Sequence, residues 1–244
     1  MNYLLIDIGN TRIKYSLSIK GKMEEPVSFI YSKNKFKNQF SALLNKYNGL
    51  FDELYISTLD KEYKIIIKSK VNKYKVNFVN NKSLLPIKID YSNTLGSDRV
   101  CSAVGAFMKF PGYKNILVID MGTATTFNIV SNGVYKGGMI SAGLKTASEG
   151  LLKSTTLPKV ILTGNIKLIN KNTKDSIISG LVYQQVLFIE KVIEMYKRKF
   201  KNLLVVITGG VSQIIGKNIE GVNKIELNLV LMGLNQIALH NKYK

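Results

Sequence analysis

The chain has 244 residues, 45% of them hydrophobic, and one cysteine, Cys101, which excludes an intramolecular disulfide and a cysteine zinc cluster. It contains no run of about 18 uncharged apolar residues, and its opening "MNYLLIDIGN" lacks a basic start and is cut by Asp7, so neither a membrane span nor a signal peptide is expected and a cytoplasmic location is the simplest account. The formal net charge of +19 is almost all lysine spread along the chain, with arginine only at 12, 99 and 198, a pattern that argues for a solvated surface able to attract anionic substrates and against nucleic-acid binding.

Residues 3–8 and 12–19 predict two strands joined by a tight turn at Gly9-Asn10, followed by a third within "EEPVSFIYS". Phe36, Phe40, Leu43, Leu44 and Tyr47 share one face at helical spacing. "ELYIST" and "VNFVN" predict further strands, with a helix between them over about 61–73. "SDRVCSAVGAFMKF" predicts a helix with Ser97 as its N-cap.

The pattern then restarts. "NILVIDMG", "TATTFNIVSNG" and "VYKGGMIS" predict three strands, and a helix is expected from near Ala142. A long helix from Thr173, read as its N-cap, to about Lys197 precedes the strand "LLVVIT", which ends at Gly209-Gly210. A short helix, the strand "VNKIEL" and a helix from Leu229 to about His240 follow. Each half is therefore β-β-β-α with later αβ units, which marks an internal duplication. "FPGYKN" suggests a boundary near residue 112, giving lobes 1–113 and 114–244.

The duplication places "LLIDIGNT" (4–11) and "LVIDMGTA" (117–124) at the same point of each half. A strand ending in Asp, then Gly and small polar residues, then a second strand, makes a hairpin whose backbone N–H groups can cradle an anion. The Asp at the strand end can hold a metal, or its water, against the same phosphates. Two such hairpins, facing each other across a cleft, would grip the two ends of a triphosphate. No Gly-x-Gly-x-x-Gly occurs, and "GMISAGLKT" fails as a P-loop because Leu144 separates Gly143 from Lys145.

"GSDRV" (96–100) puts Asp98 in the first turn of a helix, where capping alone would suit it. Arg99 beside it provides a planar fork suited to a carboxylate or phosphate, and the pair could orient an acceptor hydroxyl and bind an anionic substrate. "GGMISAGL" gives a glycine-rich strand-to-helix turn and the strand end "VVITGG" suits an adenosine lying flat against backbone, and each fits ordinary turn chemistry equally. Cys101 and His240 read as a buried helix residue and a tail residue, and a Ser-His-Asp hydrolase would have to rely on that one histidine.

Taken in order, "DIGNT", "GSDR", "DMGTATTF", "GGMISAGL", "NTKDSIISG", "VITGG" and "LVLMGLNQI" resemble the type III pantothenate kinases of the acetate and sugar kinase/heat-shock/actin superfamily, over essentially the whole chain. The resemblance implies an α/β fold of two duplicated ribonuclease-H-like (actin-like ATPase) lobes. It implies transfer of phosphate from ATP to the primary hydroxyl of pantothenate, the first step of coenzyme A biosynthesis. It further implies that Asp7, Ile8, Gly9, Asn10, Thr11, Arg12, Ile13 and Lys14, with Thr123, bind ATP. Gly96, Ser97, Asp98, Arg99 and Thr173 would bind pantothenate, with Asp98 as the proton acceptor. Asp120 would be tied to a monovalent cation (K⁺ or NH₄⁺), Mg²⁺ would sit with ATP near Asp7, and the enzyme would be a homodimer.

Three departures from the family pattern stand out. Ala142 replaces the usual Pro, Asn128 stands where Asp is frequent, and "DYSNTL" lacks the usual Asn-Pro-Tyr wording, so Tyr91 receives no role. The alternatives are a kinase of the same fold acting on another small hydroxylated acceptor, and a non-catalytic transcriptional accessory factor.

Overall fold

A computed structural model describes residues 1–162 and 166–242. It contains two compact units. The first comprises Met1–Pro111, Gly133–Tyr135 and the chain from Asn228 onward; the second comprises Gly112–Asn132 and Lys136–Leu227. The C-terminal helix, expected in the second lobe, thus packs within the first unit.

The first unit is built on the strands β1 (Tyr3–Ile8), β2 (Arg12–Ile19), β3 (Lys22–Met23), β4 (Val27–Ile30), β5 (Glu53–Thr58) and β6 (Lys75–Phe78). Their order is β3-β2-β1-β5-β6, with β4 also pairing with β2. Strand β1 runs antiparallel to β2 and parallel to β5. Period-two alternation splits the sheet into two faces. Leu4, Ile6, Ile8, Leu54 and Ile56 join Phe36 and Phe40 of α1 (Phe36–Lys46) and Ile67 of α2 (Lys61–Lys70) in one core. Tyr3, Leu5, Asp7, Tyr55 and Ser57 alternate onto the other face, where α3 (Ser97–Lys109) and α7 (Leu229–Lys242) pack.

The second unit repeats this plan with β8 (Asn115–Met121), β9 (Ala124–Ser131), β10 (Val134–Ala142), β11 (Leu203–Thr208) and β12 (Lys224–Ile225), in the order β12-β11-β8-β9-β10. Strand β8 is antiparallel to β9 and parallel to β11. The first two residues of β10 also pair with β7 (Lys88–Ile89), a pairing that lies within the first unit. Leu117, Ile119, Met121, Val205 and Ile207 pack against α5 (Thr173–Lys199). That helix has an 18-residue window apolar enough to cross a membrane by length and composition alone, but half of the window is buried within the protein. Leu181, Val182, Val186, Ile189, Val192 and Ile193 are spent on this core.

Matching turn chemistry reinforces the duplication. Lys20-Gly21 after β2 and Asn132-Gly133 after β9 each carry positive φ at both residues, as a two-residue hairpin turn that follows strand twist requires. The predicted strand "VNKIEL" is regular only at Lys224–Ile225, although Asn223 N–H and Glu226 N–H still donate to Val205 and Ile207 carbonyls of β11. The helix expected near Ala142 begins at Leu144 as α4 (Leu144–Lys153), because Ala142 completes β10 and Gly143 forms the cap.

Candidate functional site

In the first unit, Asp7 stands near the carboxyl end of β1, directly opposite Ser57 of β5. The carboxyl ends of parallel strands are where open α/β sheets place ligands. Both side chains face α3 by alternation, and the buried Ser57 hydroxyl hydrogen-bonds the Ser97 hydroxyl at 3.1 Å. Ser97 precedes Asp98, so one short path joins the strand carrying one carboxylate to the helix carrying the other. A second observation agrees. The Cys101 thiol, wholly buried one turn further along α3, is held well above its ordinary pKa by burial first, then by the charges of Asp7 and Asp98. Both carboxylates therefore act on this one thiol of α3.

Gly96, rather than Ser97, is the N-cap of α3. Ser97 spends its hydroxyl on Ser57, and the space beside residue 96 is taken: a Cβ there would stand 2.6 Å from Asp98 Oδ1 and 3.2 Å from Leu59. The Asp98 Oδ1 accepts the Arg99 N–H at 2.8 Å, which directs one carboxylate oxygen to the helix end. Arg99 is 7% exposed, with its guanidinium 5.4 Å from the Tyr91 ring centroid and 5.9 Å from that of Tyr135.

The β1–β2 turn leaves Gly9, Asn10, Thr11 and Arg12 exposed, while Ile8 and Ile13 are buried and anchor it. Gly9 N–H donates to the Arg12 carbonyl, and the Tyr31 hydroxyl donates to the Gly9 carbonyl at 2.8 Å. Arg12 reaches the Ser28 hydroxyl at 2.9 Å, and Lys14 lies opposite Asp7 in the antiparallel pair.

The second unit carries the counterpart. Asp120 stands opposite Thr208 of β11 and Thr126 of β9, on the sheet face away from α5. Its turn is one residue shorter: Met121 pairs with Thr125, whereas Ile8 pairs with Ile13. The exposed Thr123 offers its carbonyl to Gly143 N–H at 3.0 Å and to the Thr146 hydroxyl at 2.6 Å, which seats the start of α4 against the turn. Gly209, at φ +88, lies against Asp120, where a Cβ would stand 2.5 Å from Oδ1. Thr173 is exposed at the first position of α5, and the N-cap is Asn172, whose side chain accepts the Asp175 N–H at 2.9 Å.

Sequence reasoning had no reason to select Ser57, Thr208 or Tyr135. The first two were legible as polar residues ending the apolar strands "ELYIST" and "LLVVIT". Tyr135 reads as an ordinary strand residue, and only the packing reveals its contact with Arg99.

Comparison with known proteins completes the picture. A solved chain from Campylobacter jejuni, assigned to the Baf family of transcriptional activators, matches with a TM-score of 0.67 at 16% identity over 99% of this chain and 100% of its own. A ROK hexokinase from Thermus thermophilus matches with a TM-score of 0.58 at 12% identity over the whole of both chains. These likenesses establish the two-lobed actin-like fold. The type III pantothenate kinase of Flavobacterium psychrophilum is 32% identical over 98% of this chain and 99% of its own length. The family model for type III pantothenate kinase matches residues 3–195, and the chain belongs to that family.

Proposed function

We infer that this enzyme transfers the terminal phosphoryl group of ATP to the primary hydroxyl of pantothenate, giving 4′-phosphopantothenate and opening coenzyme A biosynthesis. The observation that carries the reading is the family match along the chain, joined to the Asp7–Ser57–Ser97–Asp98 connection that ties the two functional motifs of the first unit together.

Phosphoryl transfer asks for positioning and charge neutralisation rather than covalent chemistry. Asp98 accepts the proton of the pantothenate hydroxyl. Its Oδ1 is engaged by the backbone of its own helix, so Oδ2 is the oxygen assigned to the substrate. The Gly9–Arg12 turn, anchored by Ile8 and Ile13, holds the ATP phosphates with Lys14, and Thr123 is assigned to ATP as well. Gly96, Ser97, Arg99 and Thr173 bind pantothenate, and Arg99 answers its carboxylate.

Among the described residues no group of three or more His, Cys, Asp or Glu converges on one point. That suits Mg²⁺, which usually takes one or two carboxylates and completes its shell with substrate phosphates and water. Asp7 would hold it, and the ion would neutralise the triphosphate charge. Asp120 is assigned to a monovalent cation, K⁺ or NH₄⁺. We further assign a cytoplasmic homodimer whose lysine-rich surface attracts anionic substrates.

The test is an acceptor screen that follows ADP release. Release that depends on pantothenate and on Mg²⁺ is expected. Faster turnover with a different hydroxylated acceptor would overturn the substrate assignment.

A further inference from the structure

Arg99 is the buried arginine of this lysine-rich chain, and its guanidinium lies near two tyrosine rings. The rings differ in what they can do. Tyr91 is 40% exposed and sits in an irregular segment, so it can yield. Tyr135 is fully buried, and its ring meets Tyr91 edge to face, with centroids 5.8 Å apart at 84°. Its backbone is fixed as well. Tyr135 pairs with Ile89, its carbonyl accepts the Asp90 N–H at 2.9 Å, and Gly133 accepts the Lys88 N–H. One residue thus holds both the strand leading to Tyr91 and the ring behind it.

A guanidinium attracted to an aromatic face keeps its plane and reach set by that face, and the attraction grows where water is excluded. We propose that Tyr135 is a positioning residue for Arg99, fixing the fork that receives the carboxylate of the acceptor and thereby the preference for an acidic substrate. The proposal rests on the assignment of Arg99 to the pantothenate carboxylate. It gives a role to a residue that no functional motif includes, near the start of β10.

The full-length enzyme tests this with Tyr135→Phe, Tyr135→Met and Arg99→Lys, assayed with pantothenate and with its neutral alcohol analogue, in which the carboxylate is reduced to a hydroxymethyl group. Tyr135→Met should raise KM for pantothenate by about tenfold while leaving KM for ATP and for the neutral analogue within about twofold. Tyr135→Phe should keep wild-type values, since the ring face remains. A pentafluorinated phenylalanine at position 135 keeps the ring but removes its negative face without adding an ionisable group, and should reproduce the loss even if Tyr135→Met fails to fold. Equal losses for all three substrates, or no loss with the fluorinated ring, would overturn the positioning role. If Arg99→Lys weakens both acceptors alike, the carboxylate assignment itself fails, an outcome distinguishable from failure of Tyr135 alone.

Discussion

Gly105 and Gly233 meet backbone to backbone where α3 crosses α7: a Cβ on Gly105 would stand 3.0 Å from the Gly233 nitrogen and would collide with the Leu229 carbonyl. A Cβ on Gly233 would collide in turn with the Cys101 carbonyl. The helix that carries Asp98 is therefore seated on the C-terminal helix with no room for a methyl group. Because the obstacles are backbone atoms, rotamer changes cannot relieve them. Gly233→Ala should cost roughly 3 kcal/mol, the upper end of overpacking effects. For a chain of this size that lowers the melting temperature by about 6–12 °C, measurable by calorimetry. A melting temperature within a degree of wild type would show that the helices can separate freely.

Asp98→Asn isolates the proposed proton acceptor. Asn keeps an oxygen for the Arg99 N–H, so the helix start should survive and stability should change by less than about 0.5 kcal/mol. Turnover should fall by at least about 100-fold, the usual contribution of a general base, with ATP affinity retained. Steady-state kinetics alongside nucleotide titration separates the two effects. Full turnover in the variant would remove Asp98 from the chemistry.

Much of this architecture was legible in the sequence because its signals are local. The apolar runs "YLLIDI" and "NILVIDM", the helical spacing of Phe36, Phe40 and Leu43, and the Asn132-Gly133 turn each follow from a few neighbouring residues. The departures arise where a distant partner decides. Ser97 looks like an N-cap until Ser57 claims its hydroxyl, and the C-terminal helix looks like part of the second lobe until Gly233 meets α3. The acidic residues of the motifs announced themselves by type and position. Ser57, Thr208 and Tyr135 did not, because they come to stand beside Asp7, Asp120 and Arg99 through tertiary pairing that no spacing rule encodes.

At the start of α5 a structural role and a proposed functional one fall on adjacent positions. Asn172 accepts the Asp175 N–H and its Nδ2 donates to the Asp175 carboxylate at 2.7 Å, a reciprocal cap. Asn172→Ala should destabilise the protein by about 1 kcal/mol with little change in KM beyond that. Thr173, exposed and assigned to pantothenate, should behave in the opposite way. Thr173→Ala should leave the melting curve unchanged and raise KM for pantothenate by about 3- to 10-fold, as expected for one lost hydrogen bond. Denaturation and kinetics on both variants would expose a swapped assignment directly.

Alkaline pH should weaken the fold through groups buried in their protonated forms. Burial pushes the Cys101 thiol well above 9.0 and the Tyr55 hydroxyl from 10.0 up to about 12, while Tyr31 is raised further, again mainly by burial. Each raised group binds its proton more tightly in the folded chain, so its contribution is intact below the unfolded value and is lost as pH climbs past that value toward the folded one. For Cys101 the loss begins near pH 9, and for the tyrosines near pH 10. Melting temperatures should hold steady between pH 7 and about 8.5 and then fall with increasing slope. Cys101→Ala should delay the onset by about one pH unit, because the earliest titrating group is gone. The same burial predicts that the native thiol resists a thiol-specific reagent at pH 8 until denaturant is added. Rapid labelling of the folded enzyme, or an alkaline onset unchanged in Cys101→Ala, would show that this thiol is not sealed at the α3–α7 crossing.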